Sequence, residues 1–295
     1  MIWRCRDLAF DLSQRVRVMG IVNVTPDSFS DGGRYLDPAA AIERCHELLA
    51  EGADMLDLGA ESTRPGSLPV AADEQWRRLE PVLQSLSKAR PEAVLSIDTR
   101  TAAVAERALA LGVRIVNDVS SLSDPAMAAV VARTGAGLVL MHMRGTPEHM
   151  QRDTAYGDVT LEVAAFLGER LARAEAGGVA RECVAFDPGI GFGKSAAGSV
   201  ELLARLAELV ALGRPVLVGA SRKSFLGKLS GDDGPSAERV PASLAAAALA
   251  VFEGAQLLRV HDVAATVRVA RVAEAARAAR AARRIRKTSG TVDAP

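Results

Sequence analysis

Residues 16–33 read VRVMGIVNVTPDSFSDGG, a largely apolar run that gives way to a polar one. The apolar part at 16–22 predicts a buried strand, which ends at Asn23. Pro26 and the glycine pair at 32–33 then predict a turn-rich loop and not a continuation of the strand. A buried strand with a polar residue and a long polar loop at its carboxyl end is typical of an α/β active site.

The same alternation of an apolar run and a polar end recurs along the chain. The predicted strands lie at 16–22, 55–58, 94–97, 114–116, 137–140, 183–186, 215–218 and 256–258. The predicted helices lie at about 37–51, 73–88, 101–111, from 124 onward, 158–176, 197–211, 240–253 and 262–284. Eight strand–helix units over this length predict a single (β/α)8 TIM barrel, with a doubly wound sheet as the alternative.

No linker divides the chain into separate domains. Residues 1–15 predict a short strand or hairpin ahead of the barrel, which occupies 16–284. The last segment, 285–295, predicts a frayed, disordered tail.

The composition argues against several classes of protein. Of 295 residues, 49% are hydrophobic, which is enough for a large buried core. Lysine and arginine together number 36, and so do aspartate and glutamate, so the formal net charge is zero. A neutral chain is not drawn in bulk to nucleic acid or to a membrane surface, although a local basic pocket is compatible with it.

The cysteines and the apolar runs predict a cytoplasmic protein. Cys5, Cys45 and Cys183 are odd in number and scattered, with no CxxC pair, which predicts reduced thiols. Residues 1–14 have no apolar signal-peptide core. No apolar run approaches the ~20 residues that a membrane-spanning helix needs.

Polar residues follow the predicted strands, and a barrel would bring all of them to one face. These residues are Asn23, Asp57, Asp98, Asn117, His142, Asp187, Lys223, Arg259 and His261. Each acidic or amide residue alone is commonly a helix N-cap. Caps do not require lysine, arginine and histidine after the last two strands, so the mixture favours a binding site.

The acceptors among these residues suit a flat heterocycle. Asn117 offers both a donor and an acceptor to an amide edge. A deeply placed carboxylate, such as Asp98 or Asp187, can accept parallel N–H bonds from an amino-pyrimidine. The three together predict a pocket for a ring that is rich in N–H donors.

The cations suit a phosphate group. Lys223, Arg259 and His261 form a cationic set, with Arg64 nearby, that fits a phosphate or pyrophosphate. Asn23 offers an oxygen ligand to Mg²⁺, which would bridge phosphate oxygens and keep several waters. Together with the acceptors, these residues predict a heterocycle that carries a pyrophosphate leaving group.

Two nucleotide-binding motifs are each incomplete in this sequence. The glycine-rich segment 188–195 reads PGIGFGKS, but Pro188 stands where a Walker loop needs its first glycine. Lys194 likewise stands at the last glycine of a dinucleotide-binding motif. The four histidines and three cysteines show no metal-site spacing, and His142 suits a pocket wall or a satisfied core histidine equally.

Eight motifs together resemble the dihydropteroate synthase family, over about residues 16–275. They are GIVNVTPDSFSDGG at 20–33, GAESTRPGS at 59–67, SIDT at 96–99, NDVS at 117–120, MHMRGTP at 141–147, FDPGIGFGK at 186–194, SRKSF at 221–225 and RVHD at 259–262. The resemblance implies a (β/α)8 barrel. It also implies a transferase of folate biosynthesis that joins p-aminobenzoate to 6-hydroxymethyl-7,8-dihydropterin pyrophosphate, with 7,8-dihydropteroate and pyrophosphate as products.

The resemblance also implies roles for single residues. The pterin site would comprise Asp98, Asn117, Asp187, Lys223, Met141 and Gly219. The pyrophosphate and p-aminobenzoate sites would comprise Thr63, Arg64, Phe192, Ser224, Arg259 and His261, with Asn23 as the Mg²⁺ ligand. The catalytic residues would be Lys223, Arg259, His261 and Asp98, acting by an SN1-like route without a protein nucleophile.

The resemblance leaves alternatives open. A catalytically silent paralogue, or a pterin-dependent corrinoid methyltransferase, would share the pterin-facing residues. One departure is visible at 239–244, RVPASL, where the family often has glycine before Ser-Leu-Ala. The family also implies a homodimer and sulfonamides as inhibitors.

Overall fold

A computed structural model of the chain describes residues 1–25, 38–231 and 234–289. Two predicted features lie partly outside these residues: the polar loop after the first strand, from residue 26 to 37, and the end of the predicted tail.

The described strands form a hairpin and a barrel. In chain order they are β1 (Ile2–Cys5), β2 (Leu8–Asp11), β3 (Arg17–Asn23), β4 (Met55–Gly59), β5 (Leu95–Asp98), β6 (Ile115–Asp118), β7 (Gly137–Met141), β8 (Val184–Asp187), β9 (Leu217–Val218) and β10 (Leu257–Val260). β1 and β2 pair antiparallel, which confirms the predicted hairpin. The other eight described strands pair in parallel in the order β8-β7-β6-β5-β4-β3-β10-β9.

The two ends of this sheet meet and close the barrel. Phe186 in β8 forms a parallel bridge to Val216, just before β9. Its backbone N–H also donates to the Pro215 carbonyl at 2.7 Å. The predicted (β/α)8 barrel is therefore confirmed, and the doubly wound alternative is wrong.

Helices separate the described strands and cover the outside of the barrel. They are α1 (Pro38–Ala50), α2 (Ala72–Ala89), α3 (Ala102–Ala110), α4 (Met127–Thr134), α5 (Val159–Ala176), α6 (Ala196–Ala204), α7 (Leu206–Val210), α8 (Ser224–Ser230), α9 (Val240–Phe252) and α10 (Val263–Ser289). No helix of the described residues is both long and apolar enough to cross a membrane.

The helices differ from the sequence prediction at three places. The helix predicted at 197–211 is divided at Arg205, whose backbone (φ −107°, ψ 19°) leaves helical geometry. The short helix α8, which begins directly after Lys223, was missed. α10 continues to Ser289 and not to 284, and the added residues include Arg286 and Lys287, which favour helix.

The hairpin closes the amino-terminal end of the barrel. Trp3 is fully buried, and its indole N–H donates to the Cys183 carbonyl at 2.8 Å. Its ring belongs to a cluster of inward-facing strand residues that includes Met19, Met55 and Ile115. The carboxyl-terminal end of the barrel is left for the polar residues that follow the strands.

Strand alternation separates the outer core from the barrel interior. Leu56 and Leu58 pack in the layer between strands and helices, while Asp57 between them faces the interior. The three cysteines are free, as the sequence predicted, and the structure shows that all three are buried.

Candidate active site

An ion-pair network lies at the carboxyl end of the barrel. Arg259, near the end of β10, donates from Nε to Asp57 Oδ2 and from Nη2 to Asp98 Oδ2, each at 2.6 Å. Three different strands therefore meet at one guanidinium. The predicted convergence of strand-end residues is confirmed for these three.

Asp57 is the centre of this network. It is fully buried in β4 and accepts hydrogen bonds from Ser96 Oγ at 2.6 Å and Asn117 Nδ2 at 2.9 Å, besides that from Arg259. The sequence placed Asp57 at the mouth but gave it no role. The available signal was a carboxylate between two apolar strand residues, which has to be paired when it is buried.

Asn117 presents an acceptor without a protein partner. Its amide group donates to Asp57, and its Oδ1 is buried without a hydrogen-bond partner among the described residues. A buried oxygen left unpaired is costly, so such an atom often marks a place where a ligand binds. Oδ1 is suited to accept an N–H from a flat ring.

The carboxyl of Asp98 is shifted toward its protonated form. Burial raises its pKa to about 7, the nearby Arg259 guanidinium opposes that rise, and the negative charges of Asp57, Glu61 and Asp118 add to it.

Asp187 lies across the mouth from Asp98, at the end of β8. It is 6% exposed, and its Oδ1 accepts the Gly189 N–H at 2.7 Å. Burial raises its pKa, while the positive charges of Lys223 and Arg259 favour the ionised form. A Cβ added at Gly219 would lie 3.8 Å from Arg259 Cβ and 4.0 Å from Asp187 Oδ2, so Gly219 keeps this space open.

Met141 borders the same space. It ends β7, is 2% exposed and pairs in register with Asp187. Its side chain approaches the position that a Cβ at Gly189 would take, at 3.3 Å.

Lys223 reaches toward Asp187 from the turn after β9. Its ammonium donates to the Ile190 carbonyl and lies 4.1 Å from the centre of the Phe192 ring. Burial under these groups lowers the pKa of Lys223 to about 7, although Asp187 opposes the shift. Ser224 follows directly and begins α8 with an exposed side chain.

The glycine loop after β8 depends on a buried lysine that the sequence analysis did not single out. Lys194 is 3% exposed, and its ammonium contacts His142 Nδ1 at 2.8 Å. It also donates to the carbonyls of Gly189 and Phe192, both at 2.9 Å. Burial lowers its pKa well below the usual value. Lys194 therefore holds the loop that carries Phe192.

His142 is a satisfied core histidine. It is 3% exposed, packs edge-on against Phe166 with 4.8 Å between ring centres, and pairs with Lys194. Burial lowers its pKa to about 3. Of the two readings left open by the sequence, the core residue is confirmed.

His261 differs from the predicted cation. His261 directly follows β10, and its Nδ1 lies 3.0 Å from Ser221 Oγ. Burial, together with the positive charges of Arg222 and Arg259, lowers its pKa to about 3. The prediction that Lys223, Arg259 and His261 form a cationic set is therefore wrong for His261 in the free protein, because the sequence places Arg259 and Arg64 near it but does not show how deeply the imidazole is buried.

The loop after β4 contributes the remaining residues. Gly66 N–H donates to the Pro147 carbonyl at 3.0 Å, which ties this loop to the one after β7. Arg64 is exposed, Thr63 is half-buried, and the charge of Arg64 contributes to the low pKa of His261. Arg64 therefore faces the same mouth.

Asn23 ends β3 and pairs in register with Gly59. Among the described residues there is no group of three or more His, Cys, Asp or Glu side chains that could hold a metal. A half-buried amide beside the open mouth fits a hard ion that takes its other ligands from water and phosphate oxygens. The donor chemistry therefore fits Mg²⁺.

Comparison with protein families places this barrel among known ones. Residues 19–261 match the model of a family described as pterin binding enzyme. The dihydropteroate synthase of Escherichia coli K12 is 44% identical over 259 residues, which cover 88% of this chain and 90% of that protein. The dihydropteroate synthase of Mycobacterium leprae is 46% identical over 258 residues, covering 85% and 90%.

Solved structures are similar over nearly their full length. Dihydropteroate synthase from Xanthomonas albilineans with 4-aminobenzoic acid has a TM-score of 0.87 and 45% identity, covering 94% of this chain and 98% of that one. The Yersinia pestis enzyme in a sulfonamide drug complex gives 0.88 and 42%, covering 94% and 100%. The Thermus thermophilus enzyme in complex with 6HMPPP gives 0.80 and 46%, covering 93% and 99%.

Proposed function

This chain belongs to the pterin-binding enzyme family, and from that premise we propose that its barrel mouth carries out the dihydropteroate synthase reaction. The enzyme is a transferase of folate biosynthesis. It joins p-aminobenzoate to 6-hydroxymethyl-7,8-dihydropterin pyrophosphate and forms 7,8-dihydropteroate and pyrophosphate.

One observation carries the assignment to this site. The buried Asn117 Oδ1 has no partner among the described residues, although its own amide is fixed by Asp57. Asp98, tied to the same network through Arg259, supplies a second acceptor. An N–H-rich ring that bonds both would satisfy the unpaired oxygen.

The pterin would be held by acceptors from three strands. Asn117 and Asp98 take one side of the ring, and Asp187 on β8 takes the other. Met141 and Gly219 line the space between, where Gly219 leaves room that a side chain would fill. The carboxylates also favour positive charge in the ring, which is the charge that develops when the leaving group departs.

The pyrophosphate would bind to Arg259 and His261, and Thr63 and Arg64 in the loop after β4 would also contact it. Asn23 would hold Mg²⁺, which supplies positive charge to the phosphate oxygens when bound. Arg259 is already paired with two carboxylates, which offset its positive charge. The charges of Mg²⁺ and Arg64 would therefore supplement that of Arg259 at the pyrophosphate.

The reaction needs no protein nucleophile. The bond between the pterin methylene carbon and the pyrophosphate oxygen breaks, and its electron pair leaves with the pyrophosphate. The resulting cation is delocalised into the pterin, and the p-aminobenzoate nitrogen attacks the methylene and loses a proton. The loop after β4, which is tied to the loop after β7, would help to exclude water, which otherwise captures the cation.

The p-aminobenzoate would bind beside Phe192, Lys223 and Ser224. Phe192 offers a ring face at the position where it now covers the Lys223 ammonium. Sulfonamides would compete for the same place.

The assembly and location of the protein are further parts of the proposal. A homodimer is supported by exposed apolar residues on adjacent helices, Leu249 on α9 (55% exposed) and Val272 on α10 (72% exposed). Three free, buried thiols are suited to the cytoplasm.

Release of pyrophosphate tests the proposal directly. With purified protein, Mg²⁺ and 6-hydroxymethyl-7,8-dihydropterin pyrophosphate, release should depend on added p-aminobenzoate. Binding of the pterin without any release would favour a silent paralogue. Demethylation of methyltetrahydrofolate in the presence of a corrinoid acceptor would favour the methyltransferase.

A further inference from the structure

We propose that Ser221 is a positioning residue that fixes His261 as its Nε2–H tautomer, so that a neutral imidazole donates this N–H to the departing pyrophosphate. The inference rests on the proposed function for its ligand, but the state of the imidazole can be measured independently of turnover.

The first support is the hydrogen bonding of the Ser221 hydroxyl. Its oxygen already accepts the backbone N–H of His261 at 3.2 Å, and it lies 3.0 Å from His261 Nδ1. The side chain is 9% exposed, and among the described residues Nδ1 is the acceptor within its reach. A buried hydroxyl proton requires an acceptor, so it goes to Nδ1.

The tautomer follows from this bond. A neutral imidazole carries one proton, and a nitrogen that accepts a hydrogen bond is not the protonated one. With Nδ1 accepting from Ser221, the proton of His261 lies on Nε2. Nε2 makes no hydrogen bond to any described residue, which leaves this N–H available to a ligand.

The second support is electrostatic. Burial lowers the pKa of His261, and the guanidinium groups of Arg222, Arg259 and Arg64 lower it further, with Asp262 as the opposing negative charge. These charges disfavour a second proton on the ring. The imidazole therefore acts in the free enzyme as a directed donor and not as a cation.

The third support is the turn that carries Ser221. Arg222 has φ 59°, a left-handed conformation that is strained for a residue with a side chain. Its guanidinium forms a two-bond ion pair with Asp262, the residue after His261. Its backbone N–H donates to Ser243 Oγ at 2.8 Å. Contacts of the Arg222 side chain and of its backbone therefore hold this strained conformation. They fix Ser221 next to His261.

This arrangement also gives a role to the segment at 239–244. Ser243 there receives the Arg222 N–H and donates to the Arg239 carbonyl at 2.7 Å. Arg239 in turn donates to the Arg222 carbonyl at 3.3 Å. The start of α9 therefore supports the turn through Ser243 and Arg239, and the departure from the family pattern lies at the residue before Ser243.

Nitrogen-15 NMR of histidine-labelled protein tests the inference. The chain has four histidines, so the His261 signals can be assigned with a His261→Gln variant. At pH 7 the wild type should show the Nε2–H tautomer at His261. Ser221→Ala should give a mixture of the two tautomers, while Ser221→Thr, which keeps the hydroxyl, should restore the wild-type pattern.

Binding and kinetics provide the second readout. For Ser221→Ala we expect the dissociation constant of inorganic pyrophosphate with Mg²⁺ to rise about tenfold and kcat to fall by a similar factor, since one directed hydrogen bond is lost. The KM for p-aminobenzoate should stay unchanged. Ser199→Ala, which removes a buried hydroxyl in α6, is the matched control and should leave all these quantities and the His261 tautomer unchanged.

The Nδ1–H tautomer or an imidazolium at His261 in the wild type would overturn the inference, even if the alanine variant failed to fold. So would a Ser221→Ala protein with wild-type tautomer and pyrophosphate affinity. A wild type that shows the Nε2–H tautomer but releases no pyrophosphate would reject the proposed function and leave the role of Ser221 in place.

Discussion

Asp57 shows how a single buried charge organises the mouth of the barrel. It accepts hydrogen bonds from Ser96, Asn117 and Arg259, which belong to three other strands. These hydrogen bonds orient Ser96, Asn117 and Arg259, and Arg259 is held by Asp98 as well. The amide of Asn117, which we propose faces the pterin, is therefore oriented by a residue that need not touch substrate.

Asp57→Asn should destabilise the fold. The change leaves Arg259 with one carboxylate and removes an acceptor from a fully buried site, so we expect a loss of about 3 kcal/mol in the free energy of unfolding. Urea denaturation measures it. Asp7→Asn is the control, because the Asp7–Arg114 pair is exposed on the Asp7 side and should contribute nothing measurable. Equal stability of the two variants would contradict the role of Asp57.

Lys223 should take up a proton when substrate binds. With a pKa of about 7 in the free protein, it is mostly charged at pH 6 and mostly neutral at pH 8. The negative pyrophosphate of the substrate raises this pKa, so binding at pH 8 should take up about one proton and binding at pH 6 almost none. Calorimetry in buffers of different ionisation enthalpy measures the uptake.

The variant Lys223→Met isolates this effect. Its uptake at pH 8 should be smaller than that of the wild type by the same amount, because the other groups of the site remain. An unchanged uptake would assign the proton to another residue.

For single residues, the sequence predicted which side chains come together at the mouth but not their protonation states. Asp98, Asn117 and Asp187 were found because each follows an apolar strand. The neutral imidazole of His261 and the shifted pKa of Lys223 depend on Arg222, Phe192 and Ile190. Those contacts join segments far apart in the chain, so no local pattern contains them.

The glycine loop after β8 is the element that most constrains the site. Gly189 has φ +63°, and a Cβ there would lie 1.9 Å from the His142 carbonyl oxygen. The loop therefore follows β7 so closely that any side chain at this position collides with backbone. This contact fixes Ile190 and Phe192 beside Lys223.

Gly189→Ala should therefore cost more than about 3 kcal/mol of stability, through the strained φ and the backbone collision together. Gly213→Ala is the matched control, since Gly213 has φ +77° with no atom within 4 Å of the added Cβ. It should cost only about 1 kcal/mol. Thermal unfolding of both proteins provides the comparison, and similar losses would show that the close approach is unimportant.

The predicted elements were accurate where hydrophobic periodicity is strong, as in β3 and α5. They failed at α8 and at the break between α6 and α7. The break occurs at Arg205, whose guanidinium bonds Asp158, Glu201 and Glu208. Of these, the contact to Asp158 is tertiary, and tertiary contacts can override a continuous helical pattern.

On the scale of the whole molecule, the barrel has one end for stability and the other for chemistry. The hairpin and the Trp3 cluster fill the amino-terminal end, while the charged network occupies the carboxyl end. The number of strand–helix units predicted this architecture. Closure of the barrel between β8 and β9 was not visible in the sequence, since it depends on a single bridge at Phe186.

Trp3→Ala should show that stability at the amino-terminal end of the barrel is independent of substrate binding at the carboxyl end. Removing this fully buried ring should lower the free energy of unfolding by about 3–5 kcal/mol. The KM values for both substrates should remain unchanged below the unfolding transition. Ile2→Ala is the control, because Ile2 is 44% exposed and should have little effect. A changed KM in the Trp3 variant would show that the hairpin influences the site.

A crystal structure with 7,8-dihydropteroate bound tests the central claim most directly. The account predicts that the pterin ring lies within hydrogen-bonding distance of Asn117 Oδ1, Asp98 and Asp187, with the benzoate beside Phe192 and Lys223. A pterin ring bound anywhere else, such as the surface groove beside Arg6 and Arg114 at the hairpin end, would contradict it.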